Sequence, residues 1–307
     1  MKLRRVLSSI VWLLICAILG AVIYKYNDKI SKTIVETVNT VKKEKVIIPE
    51  EKYNSRTYEF ETVKLTDNFE PHSLQDIKNI YYTVLNNGWE EFTFYCPSKY
   101  ETCIDDVLQI ANKSTYLEII NYYVSPYNIY SFYNTTVSTT GEVYLTIDKV
   151  YTNDEINYLK DYVDQTLVDL GINTSKPTKQ DLRKIHDHLI KNITYDDNYI
   201  EGDLDSDSNN AIGAIKNHKA VCSGYTDAYA LFLDRLNIKN FKLPSERHIW
   251  NYVYYDNSWT HTDLTWDDDE VNKNNTGNFF MIDTKKLNEL DNKKHIYKKE
   301  LFLEVTE

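Results

Sequence analysis

Three side chains in the C-terminal half of the sequence could together perform nucleophilic catalysis on a carbonyl group. Cys222 offers a thiol, His248 an imidazole that can carry a proton, and Asp263 a carboxylate that can orient that imidazole. A thiol attacks as a thiolate, and a base held in place by a third group is the arrangement that activates it. These residues therefore predict a triad for acyl transfer, provided that the fold brings them together.

Cys222 stands just before a helical pattern that runs from Tyr225 to Leu236. The pattern predicts a core helix that ends near Asn237, a residue that tolerates the left-handed conformation. Unpaired N–H groups and the dipole at the start of that helix would favour a thiolate over a thiol. The same position also suits a small buried cysteine packed under the helix, so this motif alone leaves both interpretations open.

His248 and Asp263 lie on two strand-like segments separated by a short turn. Residues 248–255 and 258–265 flank Asp256-Asn257, a two-residue hairpin turn by type. This turn predicts the cross-strand pairs Tyr255–Ser258, Tyr252–His261, Trp250–Asp263 and His248–Thr265. His248 and Asp263 would then be diagonal neighbours on one face, roughly 7–8 Å apart at the backbone and within side-chain reach. A slip of one residue would separate them, because side chains alternate between the faces.

His261 competes with His248 for the role of base, since the same register places both on one face.

Two other groups could suggest a metal site. His186 and His188 are two residues apart and cannot share a helix face, so we expect solvated or capping roles for them. The acidic loop 202–210 lacks a glycine and a terminal glutamate at the positions that a calcium loop requires.

The sequence therefore predicts no metal and no cofactor. Residues 267–270 are acidic and are expected to form a solvated turn. The remaining histidines show no pattern of partners: His72, His218 and His295.

Three blocks of the sequence resemble the transglutaminase-like cysteine domain family in content and order. They are Val221-Cys222-Ser223-Gly224-Tyr225, His248-Ile249-Trp250-Asn251, and Trp259 followed by Asp263-Leu264-Thr265-Trp266-Asp267-Asp268. Residues 188–196 and 278–283 also look like that family, so the likeness covers about residues 178–300. The resemblance implies a papain-like α+β fold in which the Cys helix packs on an antiparallel sheet. Matched residue by residue, it makes Cys222 the nucleophile, His248 rather than His261 the base, and Asp263 the orienting acid.

The sequence departs from this family in places that bear on the mechanism. Animal transglutaminases use a Trp upstream of the Cys to stabilise the oxyanion, and no counterpart can be placed here. The backbone N–H of Cys222 is a candidate donor, and the second donor is unassigned. The calcium sites of the animal enzymes find no counterpart either. The stretch between the Cys helix and His248 is short, and no Gly closes that helix.

The resemblance leaves three functions open. One is a surface transglutaminase or related acyltransferase, the second a cysteine peptidase or amidase with the same triad, and the third a non-catalytic binding or scaffold module. The first two would act on a protein or peptide substrate, for instance one associated with the cell wall. An aromatic tunnel would favour transfer to an amine, and an open, hydrated site would favour hydrolysis. The presence of all three triad residues argues against the third.

The N-terminal residues predict a membrane-anchored chain. Residues 1–5 are basic, and residues 6–24 are uncharged and long enough, at roughly 28 Å as a helix, to cross one hydrocarbon core. The flanking charges favour a cytoplasmic N-terminus, with a stalk of residues 25–55 and the soluble domains outside a bacterial cell. A cleaved signal peptide and a lipoprotein anchored at Cys16 are the alternatives, but the run is long for the former and Ile15 is unsuitable for the latter.

Residues 56–150 are expected to form a smaller α+β domain, ahead of a catalytic domain of residues 151–307. The predicted elements of the first are a strand at 58–63, a helix from Ser73 to Leu85, a strand at 92–95, a helix at 105–120 and a hairpin of 127–137 with 142–150. Helices are predicted at 153–170 and 181–190 in the second. Cys96 and Cys103 are placed for a disulfide in an oxidising compartment, which leaves Cys222 free; two unrelated reduced cysteines are the alternative.

Composition limits the class of protein and partner. At 307 residues, with 42% hydrophobic and 26% charged residues, the chain can bury a substantial core. Its net charge of -11 argues against a nucleic-acid partner, which selects basic surfaces.

Overall fold

The computed structural model describes residues 46–200, 203, 206–268, 278–290 and 294–305. The predicted membrane segment 6–24, the basic residues 1–5 and most of the stalk 25–55 lie outside the described residues. Across the ranges that the structure describes, no helix has both the length and the apolar character needed to cross a membrane. The architecture is α+β with two antiparallel sheets.

The N-terminal half is organised around a three-stranded antiparallel sheet. In chain order its elements are α1 (Leu74–Asn86), β1 (Glu91–Tyr95), α2 (Cys103–Asn112), α3 (Ser114–Tyr123), β2 (Tyr130–Val137) and β3 (Glu142–Lys149). The strand order is β1-β3-β2, and Gly141 permits the β2–β3 turn with a φ of 86°. The Ser73 side chain caps α1 by accepting the N–H of Asp76.

Two predictions for this half are wrong. Residues 58–63, all within the described part of the chain, are irregular, with bends, rather than a strand. Their N–H groups are used elsewhere, since Glu61 and Thr62 donate to the Glu304 carboxylate at 2.5 and 3.0 Å. The single helix predicted at 105–120 is two helices, α2 and α3, because Lys113 leaves the helical conformation with φ -103° and ψ 100°.

A disulfide joins Cys96, just after β1, to Cys103, the first residue of α2. The two Cα atoms are 5.7 Å apart, and this is the pair expected from the spacing. Cys222 is a free thiol.

The C-terminal half surrounds a buried helix, α7, and includes the second antiparallel sheet. In chain order its elements are α4 (Asn153–Asp169), α5 (Lys179–Asn192), β4 (Thr194–Tyr195), α6 (Ala211–Ile215), β5 (Lys219–Ala220), α7 (Cys222–Arg235), β6 (Asn240–Pro244), β7 (Ile249–Tyr255), β8 (Ser258–Thr262), α8 (Leu264–Asp267) and α9 (Thr284–Leu290). The sheet has the order β6-β7-β8, and β4 pairs with β5 in parallel.

Local caps set the ends of the helices that surround the site. In both α4 and α5 a Thr and the acidic residue three positions later cap each other's backbone N–H groups. Gly171 after α4 and Asn237 after α7 are left-handed, with φ of 64° and 54°. Both residue types accept this conformation at low cost, which is why the two helix ends could be predicted.

The two halves pack together through one continuous set of buried side chains. Arg56 from the N-terminal half pairs with Asp234 of α7 at 3.0 Å and donates to the Asn240 carbonyl at 3.0 Å. Phe60 meets Phe241 of β6 edge to face, with ring centres 5.9 Å apart. The division into domains near residue 150 stays a prediction.

Candidate active site

Cys222 is the first residue of α7, and the helix that follows it is almost entirely buried. Gly224 allows the tight approach of this first turn, because a Cβ there would meet the Ala220 Cβ at 2.7 Å and the Ser208 carbonyl oxygen at 2.8 Å. The first N–H groups of a helix have no partner within it, so the positive end of the dipole points toward the thiol. The Cys222 side chain itself is half-buried.

Hydrogen bonds fasten the Cys helix to the strand that follows His248. The Thr226 hydroxyl of α7 donates to the Ile249 carbonyl at 3.0 Å, and the Asn251 amide of β7 donates to the Thr226 carbonyl at 3.0 Å. Further along, Asp227 of α7 and Lys242 of β6 form a buried ion pair at 2.9 Å. These contacts place the start of α7 beside the start of β7.

The β7–β8 hairpin has the register predicted from its turn. The observed pairs are Tyr255–Ser258, Tyr254–Trp259, Val253–Thr260, Tyr252–His261 and Asn251–Thr262. Asp256 and Asn257 both have positive φ, 49° and 61°, as a type I′ turn requires. The pairings predicted for Trp250 with Asp263 and for His248 with Thr265 are wrong, because the ladder ends at Asn251–Thr262 and the chain then turns into α8.

The His248 imidazole contacts the carboxylate of Asp263. Nε2 of His248 lies 2.5 Å from Oδ2 of Asp263, while Oδ1 accepts the Trp266 N–H at 3.1 Å and so caps α8. Because Nε2 is engaged by the carboxylate, Nδ1 is the ring nitrogen left for Cys222, which lies near enough to contribute to the raised pKa of His248. The structure therefore brings together the three residues that the sequence analysis singled out.

The charges of the site hold the His248 imidazole in its protonated form. Burial alone would lower the pKa of His248, but the charge and hydrogen bond of Asp263, with a smaller contribution from the nearby Cys222, outweigh burial and raise it to about 10. Burial also acts to raise the pKa of Asp263, yet the charge and hydrogen bond of His248 and the hydrogen bond of His295 hold it below its usual range. At neutral pH the pair is thus an imidazolium facing a carboxylate.

A second histidine, His295, contacts the same carboxylate and had no pattern of partners in the sequence. Its Nε2 lies 2.7 Å from Asp263 Oδ2, and its ring is fully buried. The ring packs against Trp250 and Trp266, with ring centres 4.6 and 4.7 Å away. No local signal reveals this contact, because His295 is 32 residues from Asp263 and follows no periodic pattern.

His261, the competitor for the role of base, is a neutral core residue. Its Nδ1 accepts the indole N–H of Trp250 at 3.0 Å, and its Nε2 lies 3.1 Å from the Thr284 hydroxyl. Burial lowers the pKa of His261 to about 3, with a smaller contribution from His295. Both ring nitrogens are engaged away from the thiol, which supports His248 over His261.

The solvated roles predicted for His186, Asp267 and Asp268 are wrong, and the rest of the acidic turn, residues 269–270, lies outside the described residues. His186 is 0% exposed at its side chain and lies 2.9 Å from Asp187 and 3.1 Å from Asp267. Asp267 also accepts the Phe279 N–H at 2.8 Å, and Asp268 accepts the Tyr225 hydroxyl at 2.7 Å. Asp267 and Asp268 point into the protein because each accepts a hydrogen bond there. These bonds stabilise the segment that carries Asp263 and Trp266.

Three side chains of the site could together hold a metal ion: His248, Asp263 and His295. One ligand atom from each lies within 4.8 Å of the others, and two imidazoles with a carboxylate are a donor set that transition metals accept. The N···O distances of 2.5 and 2.7 Å are nevertheless those of direct hydrogen bonds to one oxygen. The expectation of no metal and no cofactor stays a prediction. The acidic loop 202–210 lies partly outside the described residues.

Two cavities open on either side of the candidate triad. A groove of about 910 Å³ is bordered by His248, Trp266 and Tyr195. A smaller cavity of about 430 Å³ is bordered by Cys222, Asp197 and Tyr195. Tyr195 and Arg247 border both. Burial raises the pKa of Tyr195, and the nearby Cys222 adds to this rise, so its phenol stays protonated.

The groove has a wall contributed by the N-terminal half. Thr115, Glu118, Ile119 and Tyr122 all border it, and their spacing places them on one face of α3. Tyr297 and Phe302 of the C-terminal segment also border it. The sequence analysis attributed no part of a site to residues 56–150, because the contribution of α3 depends on how the halves pack.

Comparison with known proteins gives two distant structural likenesses. No protein-family model and no curated protein matches the sequence. Among solved structures, the chain is similar to a TGase, a transglutaminase, with 15% identity and a TM-score of 0.33, over 44% of each chain. It is also similar to a protein from Cytophaga hutchinsonii, provisionally described as a cysteine protease, with 11% identity and a TM-score of 0.28. That likeness covers 44% of this chain and 61% of the other, so both matches span less than two thirds of the solved chains.

Proposed function

We propose that the protein is a cysteine-dependent enzyme that transfers or hydrolyses acyl groups of protein or peptide amides. The observation that carries this proposal is the His248 imidazole, which Asp263 holds at 2.5 Å and whose raised pKa reflects the nearby Cys222. A nucleophile, a base and an orienting group in contact form the arrangement required for covalent catalysis. We therefore assign Cys222 as nucleophile, His248 as acid and base, and Asp263 as the orienting acid.

The reactive form is a Cys222 thiolate beside a His248 imidazolium. The sulfur attacks the amide carbonyl carbon and forms a tetrahedral oxyanion. When the C–N bond breaks, His248 gives its proton to the departing amine and a thioester remains on Cys222. An amine or water then loses a proton to His248 as it attacks the thioester, which releases the product and restores the thiolate and the imidazolium.

Donors for the oxyanion are available near the sulfur. The N–H of Cys222 belongs to the first turn of α7, where helix N–H groups have no intrahelical acceptor. Tyr195 borders both cavities, and the charge of Cys222 contributes to its raised pKa, which places a protonated hydroxyl in the same region. We propose these two groups as donors, a role that is worth about 10²–10³ in rate per donor in other enzymes.

The large groove supports a polypeptide as the acyl donor. Its volume of about 910 Å³ is at the upper end of the range of sites for small molecules, and it opens beside His248. Its aromatic borders Tyr122, Trp266 and Tyr297 suit side chains that flank the reacting amide.

Hydrolysis is the second candidate outcome on the same triad. The cavity on the Cys222 side is bordered mainly by polar groups, among them Asp196, Asp197 and Asn209. A polar cavity admits water to the thioester as readily as an amine. Peptidase or amidase activity is therefore the alternative to transfer, and both begin with the same acylation of Cys222.

Alkylation of Cys222 tests the shared first step. The full-length protein would be treated with iodoacetamide from pH 4 to 9, and the labelled cysteines mapped by mass spectrometry. We expect fast labelling of Cys222 below neutral pH, and a loss of roughly tenfold to a hundredfold at pH 6 in His248→Ala. His72→Ala is the matched control, because His72 is exposed and remote in sequence from the site. Ordinary thiol behaviour in the wild type would leave a binding or scaffold module as the better account.

Incorporation of a labelled primary amine into a protein substrate would separate transfer from hydrolysis. Transfer predicts stable amine incorporation that requires Cys222. Hydrolysis predicts release of ammonia or of a new amino terminus with no incorporated amine.

We further propose that residues 6–24 anchor the enzyme in a bacterial membrane with the soluble part outside the cell. The support is the long uncharged run behind a basic N-terminus, together with the disulfide between Cys96 and Cys103, which suits an oxidising compartment. External protease should digest residues 46–305 in intact spheroplasts. Protection until the membrane is broken would contradict this location.

A further inference from the structure

We infer that His295 is a positioning residue of the triad, a second imidazole that holds Asp263 in the orientation His248 requires. This inference rests on the proposed function, because a positioned base matters only if Cys222 is activated. It assigns a role to a residue beyond the three that define the triad.

The geometry at Asp263 shows three donors on one carboxylate. Oδ2 faces Nε2 of His248 at 2.5 Å and Nε2 of His295 at 2.7 Å, while Oδ1 accepts the Trp266 N–H at 3.1 Å. A carboxylate held at both oxygens cannot rotate about its Cβ–Cγ bond without losing at least one of these bonds. His295 therefore opposes a rotation that would take Oδ2 away from His248.

The surroundings of His295 fix the direction of its Nε2. The ring lies between Trp250 and Trp266, and it stacks on Phe279 at 5.5 Å with an interplanar angle of 22°. A ring used for packing alone could be a phenyl group, since its neighbours are aromatic. Placing a nitrogen at 2.7 Å from the catalytic carboxylate requires a histidine or another donor of similar reach.

The segment that supplies His295 is anchored at a distant point. Glu304 accepts the Tyr123 hydroxyl at 2.7 Å and the Thr62 hydroxyl at 2.8 Å, and both donors belong to the N-terminal half. Residues 294–305 thus connect the triad with the N-terminal half. His295 contacts Asp263 near one end of this segment, and Glu304 contacts Tyr123 and Thr62 near the other. The positioning contact at Asp263 depends in this way on the packing of the whole chain.

Substitutions of His295 test this role in the full-length protein. His295→Leu removes the donor, whereas His295→Gln keeps an N–H at a similar distance from Cα. We expect His295→Leu to slow alkylation of Cys222 at pH 6 by roughly ten- to a hundredfold, the range found for outer groups that orient metal-bound histidines. His295→Gln should recover most of the wild-type rate.

His261→Leu is the matched control for lost packing. His261 is also a buried imidazole that contacts Trp250, but both of its nitrogens are engaged away from Asp263. We expect this variant to lose stability while a folded sample keeps the alkylation rate within about threefold. Equal slowing by His295→Leu, His295→Gln and His261→Leu would show that His295 acts through packing alone and would overturn the inference.

A spectroscopic readout separates failure of this inference from failure of the proposed function. The Nε2–H proton of His248, hydrogen-bonded to Asp263, should give a low-field proton resonance in the wild type. His295→Leu should abolish or shift this resonance, and His261→Leu should retain it, whether or not Cys222 is reactive. An unchanged resonance in folded His295→Leu would overturn the inference. A slow wild-type Cys222 with the expected resonance changes would contradict only the proposed function.

Discussion

At the scale of single residues, the candidate site depends on a balance between burial and charge. Burial disfavours a charged imidazole, yet the Asp263 carboxylate at 2.5 Å raises the pKa of His248 to about 10. His261 is buried in the same half, but its ring nitrogens contact Trp250 and Thr284, and burial lowers its pKa to about 3. The two histidines thus differ in charge because His248 contacts a carboxylate, whereas His261 contacts an indole and a hydroxyl.

Asp263→Asn tests this electrostatic account. The amide keeps the size of the side chain but removes its charge, so the pKa of His248 should fall well below 10 while burial continues to lower it. Alkylation of Cys222 at neutral pH should slow by roughly a hundredfold to ten-thousandfold, the scale known for the same change in a serine protease triad. An NMR titration of the His248 ring measures the pKa directly. Asp256→Asn, at the exposed hairpin turn, is the control, and a His248 pKa unchanged in Asp263→Asn would refute the account.

The same pair predicts how stability depends on pH. The folded pKa of His248 is raised above its unfolded value of about 6.5, so its contribution is complete below that pH and is lost as the pH rises through about 10. The folded pKa of Asp263 is lowered, so its contribution is present above about pH 3.9 and is lost as the pH falls. Urea unfolding should therefore show the largest difference between wild type and Asp263→Asn from about pH 4 to 6.5. A difference that grew toward pH 10 would contradict this assignment.

At the scale of elements, the position of the thiol depends on how closely α7 approaches the preceding loop. Gly224 in the first turn of α7 faces the carbonyl oxygens of Ser208 and Asn210, which a Cβ would meet at 2.8 and 2.9 Å. Backbone atoms cannot move aside as a flexible side chain can. The start of the helix, and Cys222 with it, would have to shift instead.

Gly224→Ala should therefore be destabilising despite the better helix propensity of Ala. The propensity gain is about 1 kcal/mol, and overpacking typically costs about 1–3 kcal/mol. We expect a lower free energy of unfolding in urea and slower alkylation of Cys222, because the thiol moves relative to His248. Gly171→Ala is the control, since its Cβ would meet no atom within 4 Å and only the positive φ opposes it. It should lose about 1–2 kcal/mol and keep the alkylation rate.

At the scale of the whole molecule, a few buried polar groups join the two halves. Arg56 is enclosed by Asp234, Asn240 and the Tyr123 carbonyl, to which it donates at 2.7 Å. Its charge is compensated only while these partners stay in place. The contact between the halves is therefore sensitive to the loss of any one of them.

Asp234→Ala should lower the free energy of unfolding by about 3–5 kcal/mol, because it leaves the Arg56 charge buried and unpaired. The side chain of Asp234 is 12% exposed. Asp164→Ala is the matched control, since Asp164 is 54% exposed and pairs with Arg235 on the surface at 2.5 Å. The control should change stability by less than about 1 kcal/mol. Similar losses in the two variants would show that Arg56 does not join the halves in this way.

Much of the candidate site could be predicted because its parts depend on short-range patterns. The helix that begins at Cys222 follows from its apolar periodicity, and the turn at Asp256-Asn257 defines the register of the β7–β8 hairpin, beyond whose paired residues His248 and Asp263 lie. Predictions of secondary structure were wrong where hydrogen bonds to residues distant in sequence outweighed a local pattern. Residues 58–63 alternate like a strand, but the N–H of Thr62 donates to Glu304, 242 residues away.

The sequence by itself determined the helix that begins at Cys222 and the hairpin that brings the segments of His248 and Asp263 together, since periodicity and turn type act over a few residues. Only the tertiary structure decided which histidines meet the carboxylate and which stay neutral. His295 reaches Asp263, and the acids near residue 267 turn inward, because packing brings donors from distant segments that no local pattern encodes. The protonation states of His248 and His261 also depend on the tertiary structure, because the pKa of a buried group depends on which charges the fold places beside it.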